Sequence, residues 1–306
     1  MEIMDNLKDV RRALVFGIGG GGDIASTIPV ANFLKKFGID VLYGSVVWDR
    51  LVVDPKPGPR SLDELEEIEK INDLIGFAFP KTRTKYGIKP NVARAAEHFG
   101  KVVAIDITKG PKSLANALRN FSEKLDVSLF VGVDAGGDAI SVGFESGVKS
   151  PLSDATCVSA LKDVNGIVAV FGFGSDGELR FEELLLNISE IIKMDGFLGC
   201  TSMSKNDYKE MKEITKFVVT EASSIPIMAF EGEFGVKKIR KSRTVLISPL
   251  CILTFYFKAE SVFKINQAAR IIEEAKNLEE ANRLLNRNGI LTELDFERAI
   301  TLQEDR

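Results

Sequence analysis

A short apolar strand near the start of the chain runs directly into a glycine-rich turn. Residues 13–23 read Ala-Leu-Val-Phe-Gly-Ile-Gly-Gly-Gly-Gly-Asp. Glycine loses more backbone freedom on ordering than any other residue, so packing alone is a poor explanation for such a run. Because the turn carries no Cβ atoms, a ligand can approach the backbone N–H groups at the start of the following helix, where anions are favoured. The segment predicts a strand, a tight turn and a helix that together receive an anion.

A second glycine turn follows another apolar strand in the middle of the chain. It consists of Asp134, Ala135, Gly136, Gly137 and Asp138. Ligands of open α/β sheets lie beyond the carboxyl ends of the strands, so we expect both turns at the same edge. Asp23, which ends the first turn, would then face the same crevice as Asp134 and Asp138. The alternative is that Asp138 only caps a helix or forms an Asx turn.

Strand-like and helix-like segments alternate along most of the chain. Strands are predicted at residues 13–16, 41–48, 77–79, 102–107, 128–133, 167–173 and 225–230. Helices are predicted at residues 24–37, 62–74, 91–99, 113–125, 154–161, 181–194 and 207–222. This alternation predicts an α/β fold, with a Rossmann-like, doubly wound, mainly parallel sheet and helices on both faces.

The alternation stops near residue 240. Residues 244–247 and 252–257 are predicted strands that can add an antiparallel edge to the sheet, and residues 261–306 are predicted to be helical. The sequence shows no internal repeat and no low-complexity linker. We therefore expect one Rossmann-like domain over residues 1–258, with a C-terminal helical extension over residues 259–306 packed on it.

Composition and charge argue against several classes of protein. The net charge is -4, whereas sequence-independent nucleic-acid binders carry a basic surplus. No apolar run approaches the ~20 residues that span a bilayer, and the N-terminus does not resemble a secretory signal. The three cysteines lie far apart in the sequence, which fits a reducing compartment. We therefore expect a cytoplasmic protein with neither a nucleic-acid partner nor a membrane partner.

The chain contains a single histidine, His98, in the predicted helix over residues 91–99. A site with two histidine ligands therefore cannot be built, and a Ser-His-Asp triad could use only this residue. We expect His98 at a surface helix C-terminus, where the helix dipole favours its charged form. Acid–base chemistry must then depend mostly on carboxylates, lysines or tyrosines.

The first turn is typical of a phosphate-binding loop. It contains the G-x-G-x-x-G pattern between a strand and a helix, as that pattern requires, and no Gly-Lys-Ser/Thr of a Walker loop follows. We predict that backbone N–H groups of both turns bind a nucleotide or another phosphorylated small molecule. The glycines concerned are Gly19, Gly20, Gly21, Gly22, Gly136 and Gly137. The alternative is that the glycines only permit tight turns.

Carboxylates beside a phosphate favour a divalent cation that protein and ligand hold jointly. Asp23 and Asp138 are the predicted ligands, and Mg²⁺ is the expected metal. Asp134, Asp138 and Asp23 are also the candidate catalytic carboxylates, or they can accept hydrogen bonds from ribose hydroxyls. Arg60, in a proline-rich loop, can neutralise the charge of the phosphate. These residues together predict an enzyme that acts on a phosphorylated small molecule, with its reaction left open.

Two other functions are compatible with the sequence. Asp49 follows the second predicted strand, where the dinucleotide-binding pattern places an acidic residue for the ribose, and the adjacent Arg50 suits a 2′-phosphate. This pair predicts an NAD(P)-dependent oxidoreductase. The other alternative is a non-catalytic nucleotide-binding sensor or assembly subunit. We expect the protein to be a homo-oligomer.

Three sets of motifs resemble a family that is catalogued as domain-of-unknown-function family 1152. They are the first turn (residues 19–23), Val-Val-Asp-Pro at 52–55 with Gly-Pro-Arg-Ser at 58–61, and the second turn (residues 134–138) with Ser-Pro at 150–151. They are spread over about half of the chain. The resemblance implies an archaeal, cytoplasmic protein with a Rossmann-like fold. It implies no established activity, so it assigns no catalytic residue.

Overall fold

The computed structural model describes residues 2–239 and 243–304. The predicted domain and tail also contain residues 1, 240–242, 305 and 306, which lie outside the described residues. In the described ranges the strands are β1 (Arg12–Gly17), β2 (Asp40–Val46), β3 (Leu65–Lys70), β4 (Ile75–Thr84), β5 (Val102–Ile105), β6 (Leu129–Ala135), β7 (Ile167–Phe171), β8 (Phe197–Ser202), β9 (Gly235–Ile239), β10 (Arg243–Ile247) and β11 (Leu253–Lys258).

The helices connect and cover these strands. They are α1 (Glu2–Asp5), α2 (Thr27–Lys35), α3 (Asn91–Phe99), α4 (Gly110–Leu125), α5 (Pro151–Lys162), α6 (Phe181–Lys193), α7 (Lys205–Ile214), α8 (Ser224–Phe230), α9 (Ala259–Ile265), α10 (Gln267–Ile272), α11 (Leu278–Arg287) and α12 (Glu293–Glu304). Short 3₁₀ helices cover Gly21–Ser26, Leu62–Glu64, Asp138–Ile140 and Pro249–Ile252.

Nine of the described strands form one sheet in the order β3-β4-β5-β2-β1-β6-β7-β11-β8. The central strands β5, β2, β1, β6 and β7 run parallel to one another. Along the sheet, these five strands follow the order 3-2-1-4-5 of a Rossmann-like fold. β9 and β10 form a separate antiparallel pair. The structure thus confirms the predicted α/β class with a mixed, mostly parallel central sheet and helices around it.

Helices cover both faces of the sheet. Leu14 and Phe16 of β1 pack in a core with residues of α4, α5 and the C-terminal helices. Ala13 and Val15 of the same strand pack in a second core with residues of α2, α3 and α7. Burial on both faces explains why β1 is a continuous apolar run instead of an alternating one.

The predicted helix over residues 62–74 is wrong. The Ser61 N–H donates to Glu64 Oε2 over 2.9 Å, as in a capping box, but this box starts only the 3₁₀ helix Leu62–Glu64. The chain then continues as β3, an edge strand that pairs antiparallel with β4. Exposed acidic side chains on such an edge hinder pairing with another chain, which explains the composition of β3.

The predicted strand over residues 225–230 is also wrong, because this segment forms α8. Ile225, Met228 and Ala229 all contact one small core, and their i, i+3, i+4 spacing is helical. The core also contains side chains of β10, so long-range packing overrides the β propensity of the segment. β8 and β9 lie where no strand was predicted.

The last predicted strands divide between the two sheets. β11, over the predicted segment 252–257, lies between β7 and β8 and runs antiparallel to both. β10, over the predicted segment 244–247, pairs with β9 outside the main sheet.

The C-terminal segment is helical from α9 to α12, as predicted. Ala268, Ala269 and Leu285 of this segment belong to the same core as α4 and α5. The boundary at residue 258 stays a prediction. Among the described residues, no helix combines the length and the apolar character needed to cross a membrane.

Candidate functional site

The two glycine turns lie side by side at the carboxyl edge of the sheet. The sheet order reverses at β1, which has β2 on one side and β6 on the other. The first turn follows β1, and the second follows β6, its parallel neighbour. The Ile18 N–H donates to the carbonyl of Val133 over 3.0 Å and thereby joins the starts of the two turns. Ligands of doubly wound folds bind at this point of the sheet.

Hydrogen bonds within the turn and to the neighbouring strand end hold the first turn in place. The Gly19 N–H donates to Asp23 Oδ2 over 3.0 Å, and the Gly21 N–H donates to the carbonyl of Trp48 over 2.8 Å. Two of the four glycine N–H groups are thus engaged by the protein itself. A bound anion would have to meet the other two.

The helix after the first turn starts later than predicted. The 3₁₀ helix Gly21–Ser26 comes first, and α2 begins at Thr27 with Pro29 in its first turn. Asp23 does not act as an N-cap, because its carboxylate reaches back to Gly19. Its side chain therefore belongs to the turn.

Packing explains part of the glycine content of the first turn. A Cβ atom on Gly19 would lie 2.7 Å from Asp23 Oδ2 and 3.3 Å from both carboxylate oxygens of Asp154. A Cβ atom on Gly21 would lie 3.1 Å from Asp49 Cγ. The inner side of this turn therefore has no room for side chains, because three carboxylates lie against it.

The second turn is more deeply packed. Gly136 and Gly137 both have φ +128°, a conformation that strongly favours glycine. A Cβ atom on Gly136 would lie 2.6 Å from Asp176 Cβ, and one on Gly137 would lie 2.5 Å from Leu184 Cδ2. These glycines bring the backbone close to the loop after β7 and to α6, so they pack against protein and do not line the cleft described below.

Three buried carboxylates converge at the second turn. Asp134, Asp138 and Asp176 each offer one oxygen atom, and these atoms lie within 4.8 Å of one another. The three residues are 1%, 6% and 4% exposed. Burial is the main cause that raises the pKa of Asp134 and Asp138 well above the usual range, and repulsion by neighbouring carboxylates adds to it. A group of this kind can bind a cation through hard oxygen ligands.

All three of these carboxylates also accept hydrogen bonds. The Glu178 N–H donates to Asp176 Oδ1 over 2.7 Å. The Ala139 N–H donates to Asp134 Oδ2 over 3.1 Å, and the Ser150 hydroxyl lies 3.1 Å from Asp138 Oδ2. Asp138 starts the 3₁₀ helix Asp138–Ile140, but its side chain points to Ser150 and does not cap that helix. The positions of the carboxylates are thus set by the turn and by the segment before α5.

Further carboxylates surround this group. Asp154 of α5 is 1% exposed, and neither of its oxygen atoms has a hydrogen-bond partner among the described residues. Burial raises its pKa well above the usual range, followed by repulsion from Asp134, Asp23 and Glu293. Burial likewise raises the pKa of Glu293, on α12, to about 8.

Two glutamates of this region have hydrogen-bond or ion-pair partners in the protein. Glu293 accepts hydrogen bonds from the N–H groups of Leu152 and Ser153, at 3.0 and 2.8 Å, in the first turn of α5. Glu178 pairs with Arg243 over 2.6 Å. Asp154 differs from these glutamates, because its oxygen atoms have no hydrogen-bond partner among the described residues.

A cleft of about 730 Å³ opens over the first turn. All four glycines of the turn, Asp23 and Ser150 line it, whereas Asp134, Asp138 and Asp176 lie behind its wall. Its other walls come from the segment after β2, the start of α3, the segment before α5, Gly177, residues 219–221, the start of β10 and α12. Basic and aromatic side chains in these walls are Arg50, Lys149, Arg243, Trp48 and Phe296.

Asp49 lies against Gly21 of the first turn and does not line the cleft. It is 6% exposed, and its Oδ2 atom accepts a hydrogen bond from the Asn91 N–H over 2.9 Å, at the start of α3. Burial raises its pKa to about 6, against the opposing effect of that hydrogen bond. The neighbouring Arg50 pairs with Glu221 over 3.1 Å. In this arrangement Asp49 does not present its carboxylate to the cleft.

Arg60 and His98 lie elsewhere. The Arg60 guanidinium pairs with the buried Asp54 over 2.8 Å and donates to carbonyls of its own loop. It is committed to that loop and does not line the cleft. His98 lies in the last turn of α3, with Nε2 3.4 Å from Glu210 Oε1, also outside the cleft lining.

Reading the sequence did not select Asp176, Asp154 or Glu293 as site residues. A signal for Asp176 exists, because β7 runs into the glycine-rich segment Gly-Phe-Gly-Ser-Asp-Gly-Glu at 172–178. This is a third strand followed by a glycine turn with an aspartate. Asp154 and Glu293 carry no comparable local pattern, since each lies on a helix that packing brings to the turns.

Comparison with known proteins gives one match. A family model described as "Protein of unknown function (DUF1152)" matches residues 14–301, nearly the whole chain. Neither the curated proteins nor the solved structures gave a match.

Proposed function

The chain belongs to the DUF1152 family, and we propose that it binds a divalent cation and a phosphorylated small molecule at the two glycine turns. The cation is held by Asp134, Asp138 and Asp176. The ligand lies in the cleft over the first turn, with its phosphate at the N–H groups of Gly20 and Gly22. Mg²⁺ is the expected cation, because the donors are carboxylate oxygens.

The observation that carries the proposal is the convergence of the three buried carboxylates. Ionised carboxylates that lie together away from water repel one another and lose hydration, so they are costly without compensation. A divalent cation supplies that compensation and takes such oxygens as ligands. The carboxylates lie at the point where the sheet order reverses, and doubly wound folds bind their ligands at this point.

The cleft supports a ligand of nucleotide or sugar-phosphate size. Its volume of about 730 Å³ is typical of small-molecule sites. Three cationic side chains line it beside four carboxylates, and a phosphate in the cleft can contact them. The cations are Arg50, Lys149 and Arg243, and the carboxylates are Asp23, Glu221, Glu293 and Glu297. Trp48 and Phe296 offer apolar surface on which the sugar or base of a ligand can pack.

Bound Mg²⁺ would offset the negative charge of the carboxylates beside the cleft and so favour an anionic ligand there. The chain's own contribution is to hold the phosphate at the first turn and to keep carboxylates nearby. Asp23 lines the cleft, and Ser150 joins the cleft wall to Asp138. These groups are the candidates for moving a proton to or from the ligand.

Isothermal titration of the full chain with a panel of nucleotides and sugar phosphates tests this function, first in Mg²⁺ and then in EDTA. We expect at least one compound to bind in Mg²⁺ and to bind about tenfold more weakly, or worse, in EDTA, a loss of about 1.4 kcal/mol or more. Asp138→Asn should reduce the affinity in Mg²⁺ by a similar factor, because it removes one charged ligand of the cation.

The matched control is Asp126→Asn, which changes an exposed aspartate before β6, at the other end of the same strand. Its affinity should equal that of the wild type. Failure of the whole panel to bind in Mg²⁺ would contradict the proposal, as would unchanged binding by Asp138→Asn.

The same titration separates the alternative functions. An enzyme converts the compound that it binds, whereas a sensor or assembly subunit binds it without turnover and changes its oligomeric state. Preference for NAD(P) over mononucleotides would favour the oxidoreductase, although Asp49 is buried under the turn.

A further inference from the structure

The geometry points to a second cation site between Asp23 and Asp154, beneath Gly19. We infer that the protein binds two divalent cations, one at Asp134, Asp138 and Asp176 and one at this second position. The inference rests on the proposed function, because the second cation would connect the buried carboxylates with the cleft. It adds a site that the three-carboxylate group does not include.

Asp154 provides the first observation. Its carboxylate is 1% exposed, and both of its oxygen atoms are without a hydrogen-bond partner among the residues that the structure describes. Buried polar groups in folded proteins nearly always have a partner, and a buried carboxylate is more costly than a neutral group without one. An ion that binds both oxygens would account for this position.

The direction of the side chain provides the second observation. Both Asp154 oxygens lie 3.3 Å from the point where a Cβ atom on Gly19 would be, and Asp23 Oδ2 lies 2.7 Å from the same point. The two carboxylates therefore face one small space beneath the first turn. Asp23 already accepts the Gly19 N–H, and a carboxylate has further lone pairs for a cation.

The charges around Asp154 do not compensate it. The groups that act most strongly on it are the carboxylates of Asp134, Asp23, Glu293 and Glu178, and each of them raises its pKa. Arg243 is engaged with Glu178. One divalent cation at the three-carboxylate group leaves Asp154 and Asp23 with like charges close together, so a second cation has an electrostatic reason to bind there.

The position also explains how a buried cation site can serve a ligand in the cleft. Asp134, Asp138 and Asp176 lie behind the cleft wall, but Asp23 and Gly19 line the cleft. A cation beneath Gly19 would attract the anionic oxygens of a phosphate ester or diphosphate in the cleft, and the N–H groups of the turn would bind the same ligand. The second site thus favours a ligand whose phosphate oxygens can reach the cation beneath Gly19.

Titration with Mn²⁺ alone tests the second site, with the free ion measured by electron paramagnetic resonance on the full chain after EDTA treatment and desalting. We expect two Mn²⁺ per chain for the wild type and one for Asp154→Asn. The site that remains in Asp154→Asn should still bind Mn²⁺, because its three ligands are unchanged.

The matched control is Asp163→Asn, at the C-terminal end of the same helix, which should bind two Mn²⁺. Asp23→Asn provides an independent variant, since its amide oxygen can still accept the Gly19 N–H, and it should also bind one Mn²⁺. Circular dichroism shows whether each variant is folded, and either folded variant is sufficient for the decision.

The outcomes distinguish the two proposals. Two Mn²⁺ bound to folded Asp154→Asn or Asp23→Asn would overturn the second site. One Mn²⁺ on the wild type, lost in Asp138→Asn, would overturn the second site and support the first. No Mn²⁺ on the wild type would overturn both.

Discussion

The two glycine turns share a sequence pattern and a position in the fold, but they differ in which part of the chain they expose. The first turn lies on the floor of the cleft and presents backbone to it. In the second turn, Gly136 and Gly137 are packed against Asp176 and Leu184, and the candidate functional groups are carboxylates behind the cleft wall. One turn is therefore suited to an anion, and the other is suited to a cation.

The difference shows that the same short motif can have two causes. Both turns follow a parallel strand, where the chain must leave the sheet tightly, and this favours glycine in both. In the first turn, only the inner side is crowded. In the second turn, positive φ and close neighbours both require glycine. Three predictions test this contrast, in order of decreasing effect on stability.

Gly136→Ala should destabilise the protein most. Residues forced into an unfavourable φ cost about 1–3 kcal/mol, and an added methyl 2.6 Å from Asp176 Cβ adds about 1–3 kcal/mol of overpacking. We expect the free energy of unfolding in urea to fall by about 2–6 kcal/mol, the sum of these two costs.

Gly235→Ala is the control for the backbone contribution. Gly235 has φ +127°, but nothing lies within 4 Å of its Cβ position. Its loss of stability should be limited to the backbone part, about 1–3 kcal/mol. Equal losses of unfolding free energy in the two variants would show that a methyl group at Gly136 meets no more crowding than one at Gly235.

Stability without a cation should fall as the pH rises, because of the buried carboxylates around the two turns. The folded-state pKa of Glu293 is raised to about 8, so the folded chain binds more protons than the unfolded chain between the ordinary pKa of 4.5 and that value. The raised pKa values of Asp134, Asp138 and Asp154 act in the same direction. Since one pKa unit corresponds to about 1.4 kcal/mol, we expect a loss of a few kcal/mol between pH 5 and pH 8.

Thermal unfolding in EDTA at a series of pH values measures this loss. Mn²⁺ should reduce it, because the cation stabilises the ionised carboxylates of the folded state. A protein in EDTA whose stability is constant or rises from pH 5 to pH 8 would show that these groups are already compensated.

Gly22→Ala, in the first turn, should have the smallest effect on stability. Gly22 does not have a positive φ, and its Cβ position is 3.1 Å from the carbonyl oxygen of Val219, a contact that a small shift relieves. We expect a change below about 1 kcal/mol in urea unfolding. Affinity for the compound found by titration should nevertheless fall about tenfold. The added methyl group narrows the cleft beside the backbone N–H that is proposed to bind the phosphate. A variant with unchanged affinity would place the phosphate away from this turn.

Local signals predicted elements where the local pattern and the packing agree. α3 begins and ends as predicted at residues 91–99, and Gly100 follows it with φ +79°. The capping box at Ser61 is also present, yet it is followed by a strand. A cap sets how a helix can begin, whereas β3 forms because β4 offers it a partner. Packing against distant residues likewise decides the structure of residues 225–230, which form a helix against their β propensity.

Sequence alone was sufficient for the α/β class and for placing the two turns at one edge of the sheet. Both conclusions depend on order along the chain, because parallel strands separated by helices all end at the same edge. It also indicated Asp23, Asp134 and Asp138, since each lies within a few residues of a glycine turn.

Tertiary structure alone decided that the turns are neighbours and that Asp154, Asp176 and Glu293 join them. The order of strands in the sheet puts β6 beside β1 and β7 beside β6, and no local pattern contains that order. Asp154 and Glu293 come from helices whose positions follow from burial of their apolar faces in the shared core. Carboxylates distant in sequence meet there because the packing of the whole chain brings them together, at an electrostatic cost that a bound cation would offset.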